Sequence, residues 1–323
     1  MNNKADINET VFFEQYPDVF EMLLKDHTTG RNIFWATDSY AHLGKGYQFN
    51  DEITTENITG EHGMIIRPRV LKEKEEQKGR TKGMAEVFTP SWICNAQNNL
   101  VDNAWFEREN VFNHENDDHT WTTITDKIIF PEGKTWRDYV RDTRLEITCG
   151  EAPYLVSRYD TTTGQFIALE NRIGLLDRKL RIVSENTETS GDWLKWAQVA
   201  FQNIYGYEWQ GDNLLIARES LLMTFIEYYQ AKFNRSPQLK SLLYIAYIIS
   251  WNLWQTDGLK CVVPDSCRMK PSIQQSLFGE PEMIPCEGCD TGNIHKHNGI
   301  YCKIKDWRKN EAQTFVSLLK ERK

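Results

Sequence analysis

Glu208, and a run of cysteines and histidines around residue 290, are the side chains of this sequence whose types and spacing could do chemistry. Glu208 lies in Tyr205-Gly206-Tyr207-Glu208-Trp209-Gln210-Gly211-Asp212-Asn213-Leu214-Leu215-Ile216-Ala217-Arg218. This reads as a short strand ending in an acid, then a tight turn, then a helix. A carboxylate at the carboxyl end of a strand can accept hydrogen bonds from both hydroxyls of a ribose, so the position favours a nucleoside-bearing cofactor. The second group is Cys286-Glu287-Gly288-Cys289, followed by His295, His297 and Cys302. Two thiolates two residues apart grip one side of a Zn2+ tetrahedron, and a later His and Cys close it. Five side chains compete for four places. The expected set is Cys286, Cys289, His297 and Cys302, with His295 as the substitute. Cys261 and Cys267 read as ordinary buried thiols, with ligation as the alternative. No coordination position is left open beside a general base, so the expected zinc is structural.

The elements that must position these groups follow from local pattern. Thr89 followed by Pro90 marks a helix start, a hydroxyl cap and then proline. Ile93, Ala96, Leu100 and Ala104 give that helix one apolar face. Leu145-Glu146-Ile147-Thr148-Cys149-Gly150 reads as a strand ending at a glycine turn. Helical stretches follow around Leu175 to Val183 and Trp193 to Ala200. A long helix runs from about Asp212 to Phe233, capped by Gly211-Asp212, and a second from about Gln238 to Ile249. Ile33 to Thr37 fits a strand or a short helix equally. Residues 67–83 read as a charged loop, and residues 107–140 as a polar insertion. Strands alternating with helices imply an α/β fold with a mostly parallel sheet and helices on both faces.

The bulk numbers narrow the function classes. In 323 residues, 40% are hydrophobic and 26% charged, which suits an ordinary globular chain and argues against extended disorder. The net charge of −8 is unlike that of a dedicated nucleic-acid-binding domain. Contact with DNA would need a local patch. One candidate comprises Arg67, Arg69, Lys72, Lys74, Lys78, Arg80 and Lys82; the other comprises Lys303, Lys305, Arg308, Lys309, Lys320, Arg322 and Lys323. Each reads equally as a solvated segment. The longest apolar run, Leu242 to Ile249, is too short to span a membrane. A polar N-terminus and an odd number of cysteines, 7, give the expectation of reduced thiols in a cytoplasm.

Taken in order, Ala85-Glu86-Val87-Phe88-Thr89-Pro90, Leu145-Glu146-Ile147-Thr148-Cys149-Gly150 and Tyr207-Glu208 resemble the N6-adenine DNA methyltransferases. More narrowly, the chain is similar to the restriction-modification proteins called subunit M. The resemblance implies that Phe88, Thr89 and Pro90 lie against the methionine end of S-adenosylmethionine. It implies that Glu146, Cys149 and Gly150 form the turn that wraps the cofactor, and that Glu208 binds the ribose. Ile248 to Leu259 would be the next strand, with Asp257 accepting from the cofactor's adenine amine. The similarity covers about residues 84 to 260. It implies a Rossmann-like methyltransferase sheet at 84–260, flanked by what the residues themselves give as an irregular segment at 1–83 and a Cys/His-rich, zinc-knuckle-like lobe at 261–323.

The sequence departs from that family in two places. The second glycine of the turn is missing, since the run is Gly150-Glu151-Ala152-Pro153-Tyr154. Glu151 would repel a methionine carboxylate if it faced one. No Asn/Asp-Pro-Pro-Tyr follows Asp257; Glu151, Pro153 and Tyr154 form the nearest string, at the wrong place in the order. The expected function is an S-adenosylmethionine-dependent DNA adenine-N6 methyltransferase, or a methyltransferase subunit, of a restriction-modification or phage system. The alternative is a catalytically inactive, methyltransferase-like DNA- or protein-binding protein with structural zinc. Expected partners are DNA and a second subunit supplying recognition or catalytic residues, with no membrane.

Overall fold

Three short parallel strands stand at the centre of the chain, in a computed structural model that describes residues 5–84, 86–271 and 283–320. The described helices are α1 (Glu9–Gln15), α2 (Pro17–Leu24), α3 (Thr55–Ile58), α4 (Lys74–Met84), α5 (Ser91–Phe106), α6 (Trp136–Arg141), α7 (Leu175–Asn186), α8 (Ser190–Gln202), α9 (Gly211–Phe233), α10 (Leu239–Asn252) and α11 (Glu287–Thr291). The strands are β1 (Asn113–Glu115), β2 (Trp121–Thr123), β3 (Arg144–Glu146), β4 (Ile204–Glu208), β5 (Leu253–Gln255), β6 (Lys270–Pro271), β7 (Met283–Ile284), β8 (Lys303–Asp306) and β9 (Glu311–Thr314). The chain is mixed α/β with small sheets. None of the described helices is long and apolar enough to cross a membrane.

The central sheet has the order β3-β4-β5, all parallel. Parallel neighbours need a crossover, and α7–α8 and α9–α10 supply them. Leu145 pairs with Tyr205 and Glu146 with Gly206; Glu208 pairs with Gln255. A Cβ on Gly206 would lie 3.3 Å from Cys149 Sγ, so glycine lets the turn after β3 settle onto β4. Arg218, buried on α9, donates to the carbonyls of Lys25, Ser250 and Leu253 at 3.0, 3.2 and 2.6 Å. It thereby joins the end of α2, the end of α10 and the start of β5.

Alternation along the strands divides the core. Ile204 and Leu253 face the main apolar cluster built from α2, α7, α8, α9 and α10. Tyr207 and Trp254 face a second cluster with Phe34, Cys261, Val263, Cys302, Ile304, Phe315 and Val316. The second face is therefore covered by the β8–β9 hairpin and the turn after it, where helices were expected. Phe315 supplies the reason: its ring packs on Trp254 and Tyr207 at centroid distances of 5.0 and 6.1 Å.

Five local expectations are corrected. Residues 67–83 are not a loop, because α4 occupies most of them. The segment before residue 84, expected to be irregular, carries α1 to α4, and α2 packs on α10. Residues 248–252 remain in α10, so the strand is only Leu253–Gln255. The buried side of α5 is polar: Cys94, Asn95, Asn98 and Asp102 point inward while Leu100 is 69% exposed. Asn98 donates to the carbonyls of Tyr154 and Ile173 at 3.0 Å each, and Asp102 accepts from Arg178 and Tyr139 at 2.6 and 2.8 Å. The helix is thus buried through hydrogen bonds. Its start is also held differently, because the Ser91 N–H donates to the Asp160 carboxylate at 2.7 Å and no Thr89 cap forms.

Candidate functional site

A cavity of about 800 Å³ opens at the carboxyl ends of β3 and β4. Of the residues singled out from sequence, Phe88, Thr89, Glu146, Cys149, Gly150, Pro153, Tyr154 and Glu208 line it. Both strand-end acids are buried. Glu208 accepts the N–H groups of Gly150 and Gln210 at 2.8 and 3.2 Å. Glu146 accepts those of Tyr154 and Leu155 at 3.4 and 3.2 Å. Burial pushes both carboxyl pKa values up, that of Glu146 well above the usual range. Gly150 sits at φ +53°, and a Cβ there would approach the Phe88 ring to 3.3 Å. The close seat of Phe88 on this turn therefore requires glycine.

Pro90 precedes the first residue of α5 and does not line the cavity. Asp257 does not line it either. Its carboxylate accepts from the N–H groups of Leu259 and Lys260 at 3.0 and 3.2 Å and pairs with Lys260 Nζ at 3.1 Å. It shapes the turn beyond β5. At the end of β5, the Gln255 side chain instead accepts from Phe34 N–H and donates to the carbonyls of Phe34 and Trp209. This docks segment 33–37 on the sheet. Ala36, Thr37 and Asp38 then complete one wall, with Phe49. The apolar run Ile33 to Thr37 was the available signal for that wall.

Glu151 points away from the cavity. It accepts from Arg69 N–H at 2.6 Å and from the Tyr159 hydroxyl, and burial raises its pKa to about 7. Repulsion of a ligand carboxylate is thereby avoided, and Glu151 is not in position for chemistry in this cavity.

The electrostatic character of the cavity is one-sided. Asp38, Glu86, Glu146 and Glu208 line it, and no lysine or arginine does so among the described residues. Glu86 is compensated from behind by Arg80 at 2.7 Å and Arg69 at 3.3 Å. Arg80 continues to Asp212 at 2.9 Å, where Lys72 and the Tyr40 hydroxyl also converge at 3.1 and 2.9 Å. Burial opposes ionisation of Asp212, but Arg80 and Lys72 outweigh it and hold its pKa well below the usual range. Asp212 is therefore a buried lock between α4 and α9, where a helix cap was expected. Two cations of the first basic patch, Lys72 and Arg80, serve this lock and are unavailable to solvent. Lys74, Lys78 and Lys82 are exposed on α4. In the tail patch, Lys305 Nζ lies over Tyr247 and Trp307 at 4.9 and 5.0 Å, while Arg322 and Lys323 lie outside the described residues.

The second site is a cluster of Cys267, Cys286, Cys289 and His297, whose ligand atoms lie within 4.8 Å of one another and could hold a metal ion. Each of the three sulfurs stands 3.6 Å from His297 Nδ1. An ion about 2.3 Å from sulfur and about 2.1 Å from nitrogen, at tetrahedral angles, requires about 3.6 Å between them. Asn298 N–H donates to Cys286 Sγ at 3.1 Å. A Cβ on Gly288 would lie 2.6 Å from His297 Nδ1, so glycine admits the imidazole. Cys302 lies outside this cluster: its thiol is 3.1 Å from Thr256 Oγ1 and 3.3 Å from the Gln255 carbonyl, inside the second core. Cys267 is the fourth member of the cluster, and His295 lies outside it. The long separation of Cys267 from Cys286 hid it from a spacing argument. No protein-family model matches the chain, and neither a curated protein nor a solved structure matches it.

Proposed function

We propose that the chain binds S-adenosylmethionine in the cavity at the ends of β3 and β4, and acts on DNA as an adenine-N6 methyltransferase or a subunit of one. The observation that carries this reading is a cavity with buried carboxylates on two adjacent strand ends and no basic side chain among its described lining. A phosphate-bearing dinucleotide would meet Asp38 and Glu208 there with no lysine or arginine in the described lining to receive it, while Glu86 is paired with Arg80 and Arg69 and burial disfavours ionisation of Glu146. A cofactor with a sulfonium and an ammonium group suits the same field. Glu208 is the acceptor for the ribose hydroxyls, and Phe88 forms the wall beside the Gly150 turn. When bound, the cofactor supplies an electrophilic methyl group. On this reading β3, β4 and β5 belong to a Rossmann-like methyltransferase sheet, and the Cys267, Cys286, Cys289, His297 cluster holds structural zinc. Lys74, Lys78 and Lys82 recur every fourth residue on the exposed face of α4, which leads to Gly83 and Met84 at the cavity. That row fits a DNA backbone.

One observation favours the second reading, a catalytically inactive methyltransferase-like binding protein. β3 is an outer strand of the sheet, and Leu145 is 44% exposed on it. No described strand therefore brings a catalytic loop alongside β3. A second subunit would supply it, or no transfer occurs. Tritiated methyl transfer to unmodified DNA, with calorimetric cofactor binding on the same sample, separates the readings. Transfer to adenine establishes the enzyme. Binding without transfer supports the subunit or the inactive protein. Absence of both defeats the cofactor reading.

A further inference from the structure

The Cys267, Cys286, Cys289, His297 cluster is unevenly covered. Cys286 is buried, Cys267 half-buried and Cys289 exposed. Cys286 Sγ also accepts the Asn298 N–H at 3.1 Å, a bond that draws charge from its sulfur. Cys289 is thus the sulfur that a solute meets first. The thiolate is the nucleophile toward peroxides, and reactive cysteines are accessible and have a resolving cysteine beside them. Cys286 fits that second role. It lies three residues away, and the ligand atoms of the cluster are within 4.8 Å of one another. The two sulfurs reach a disulfide length of about 2 Å by a small side-chain movement. Cys267 and His297 stand on segments that are joined without metal. Arg268 N–H donates to Asn298 Oδ1 at 3.0 Å, Asn298 Nδ2 donates to the Arg268 carbonyl at 2.7 Å, and Val263 N–H donates to the Ile300 carbonyl at 2.8 Å. α11, which carries Cys289, meets that frame through the Gly288 N–H on the Lys296 carbonyl at 2.9 Å and the exposed Lys296–Glu287 pair at 2.6 Å.

We propose that this cluster is a peroxide-sensitive switch, in which oxidation of Cys289 by hydrogen peroxide ejects the metal and loosens α11. The proposal rests on the zinc reading of the cluster and is independent of the cofactor reading. The Cys289 thiolate attacks one peroxide oxygen; the O–O bond breaks, hydroxide leaves, and Cys289 becomes a sulfenic acid. The Cys286 thiolate then attacks the Cys289 sulfur; the S–O bond breaks, and a second hydroxide leaves. The two thiolates give up two electrons to form the disulfide, the peroxide takes them, and both hydroxides become water on protonation by solvent. Cys267 and His297 remain as two donors, too few for a tetrahedral zinc site. A dithiol reductant reopens the disulfide by exchange. The Arg268–Asn298 pairing meanwhile keeps Cys267 beside His297, ready for refilling.

The test is hydrogen peroxide added to the whole zinc-loaded chain, with released zinc read by a chromogenic chelator, thiols counted and disulfides mapped by mass spectrometry. Zinc content is measured first, and a chain that takes no zinc overturns the metal reading and the proposal together. With zinc bound, release should consume two thiols per ion, yield a Cys286–Cys289 disulfide and raise amide exchange across α11. Dithiothreitol and fresh zinc should restore the starting state. Cys289→His keeps a zinc donor, removes the attacked sulfur and slows release about tenfold or more. Zinc content verifies that this variant is filled; if it is not, the disulfide map of the unsubstituted chain decides. Cys302→Ser, outside the cluster, releases zinc at the unsubstituted rate. Three results overturn the switch while leaving the metal reading standing: zinc retained while other thiols oxidise, zinc released without the Cys286–Cys289 disulfide, or release unchanged in the filled Cys289→His variant.

Discussion

The backbone N–H of Gly150 donates to Glu208 Oε2 at 2.8 Å, so the turn after β3 holds the carboxylate at the end of β4. Glu146 is held in the same way by the N–H groups of Tyr154 and Leu155. Each acid is oriented by backbone before any ligand arrives, which lowers the ordering cost of binding.

Glu208→Ala should weaken S-adenosylmethionine binding at least tenfold, at about 1.4 kcal/mol per decade. Burial raises the Glu208 pKa, and a cationic ligand favours its ionised form. Binding should therefore release protons and tighten as pH rises. Calorimetry in buffers of different ionisation enthalpy measures that release, and equal heats in all buffers would defeat the expectation.

Glu151 gives a pH signature of stability. Burial raises its pKa from 4.5 to about 7. A raised carboxyl stabilises the fold fully below its unfolded pKa, and that contribution is lost as pH rises through the folded value. The loss is on the order of 3 kcal/mol. Glu151→Gln should flatten the fall in melting temperature between about pH 4.5 and 7 relative to the unsubstituted protein.

Asp212→Asn should destabilise the fold by about 3 kcal/mol, because Lys72 would be left buried without its counter-charge and Arg80 would keep only Glu86. Urea unfolding reads this directly. A loss below about 0.5 kcal/mol would mean that the lock is energetically idle.

Metal content separates the two candidate ligand sets. Cys267→Ser should lose bound zinc and the thiolate-to-metal absorption of the cobalt form, while Cys302→Ser keeps both. The reverse pattern would restore the set expected from spacing.

Reversing Lys74, Lys78 and Lys82 to glutamate should weaken DNA binding and lower the salt slope by about three, while cofactor binding stays intact. An unchanged slope would make the row a solvated helix face.

The part of the chain around β4 was legible because its signals are local. Tyr205 to Glu208 ends in a turn, and α9 follows with an apolar pattern long enough to be unambiguous. Much of the cavity lining was reached through Phe88, Glu146, Gly150 and Glu208 for the same reason. The hidden face of α5 was not legible, because Ile93, Ala96, Leu100 and Ala104 mark an apolar stripe while the fold buries Asn95, Asn98 and Asp102. Partners for those groups come from Asn113, Ile173 and Arg178, which are distant in sequence. The charges of residues 67–82 misled in the same way: Lys72 and Arg80 look solvated until Asp212 is brought to them. Cys267 joins the cluster only because the fold carries it to His297.

The covering of the second sheet face has a consequence for how the chain is made. Tyr207 and Trp254 leave the ribosome well before Ile304, Phe315 and Val316, the side chains that shield them. Until residues 303–316 emerge, the nascent chain presents an aromatic surface beside an open strand edge, a combination prone to association. Synthesis of this protein should therefore pass through an interval of chaperone dependence that ends when the β8–β9 hairpin closes.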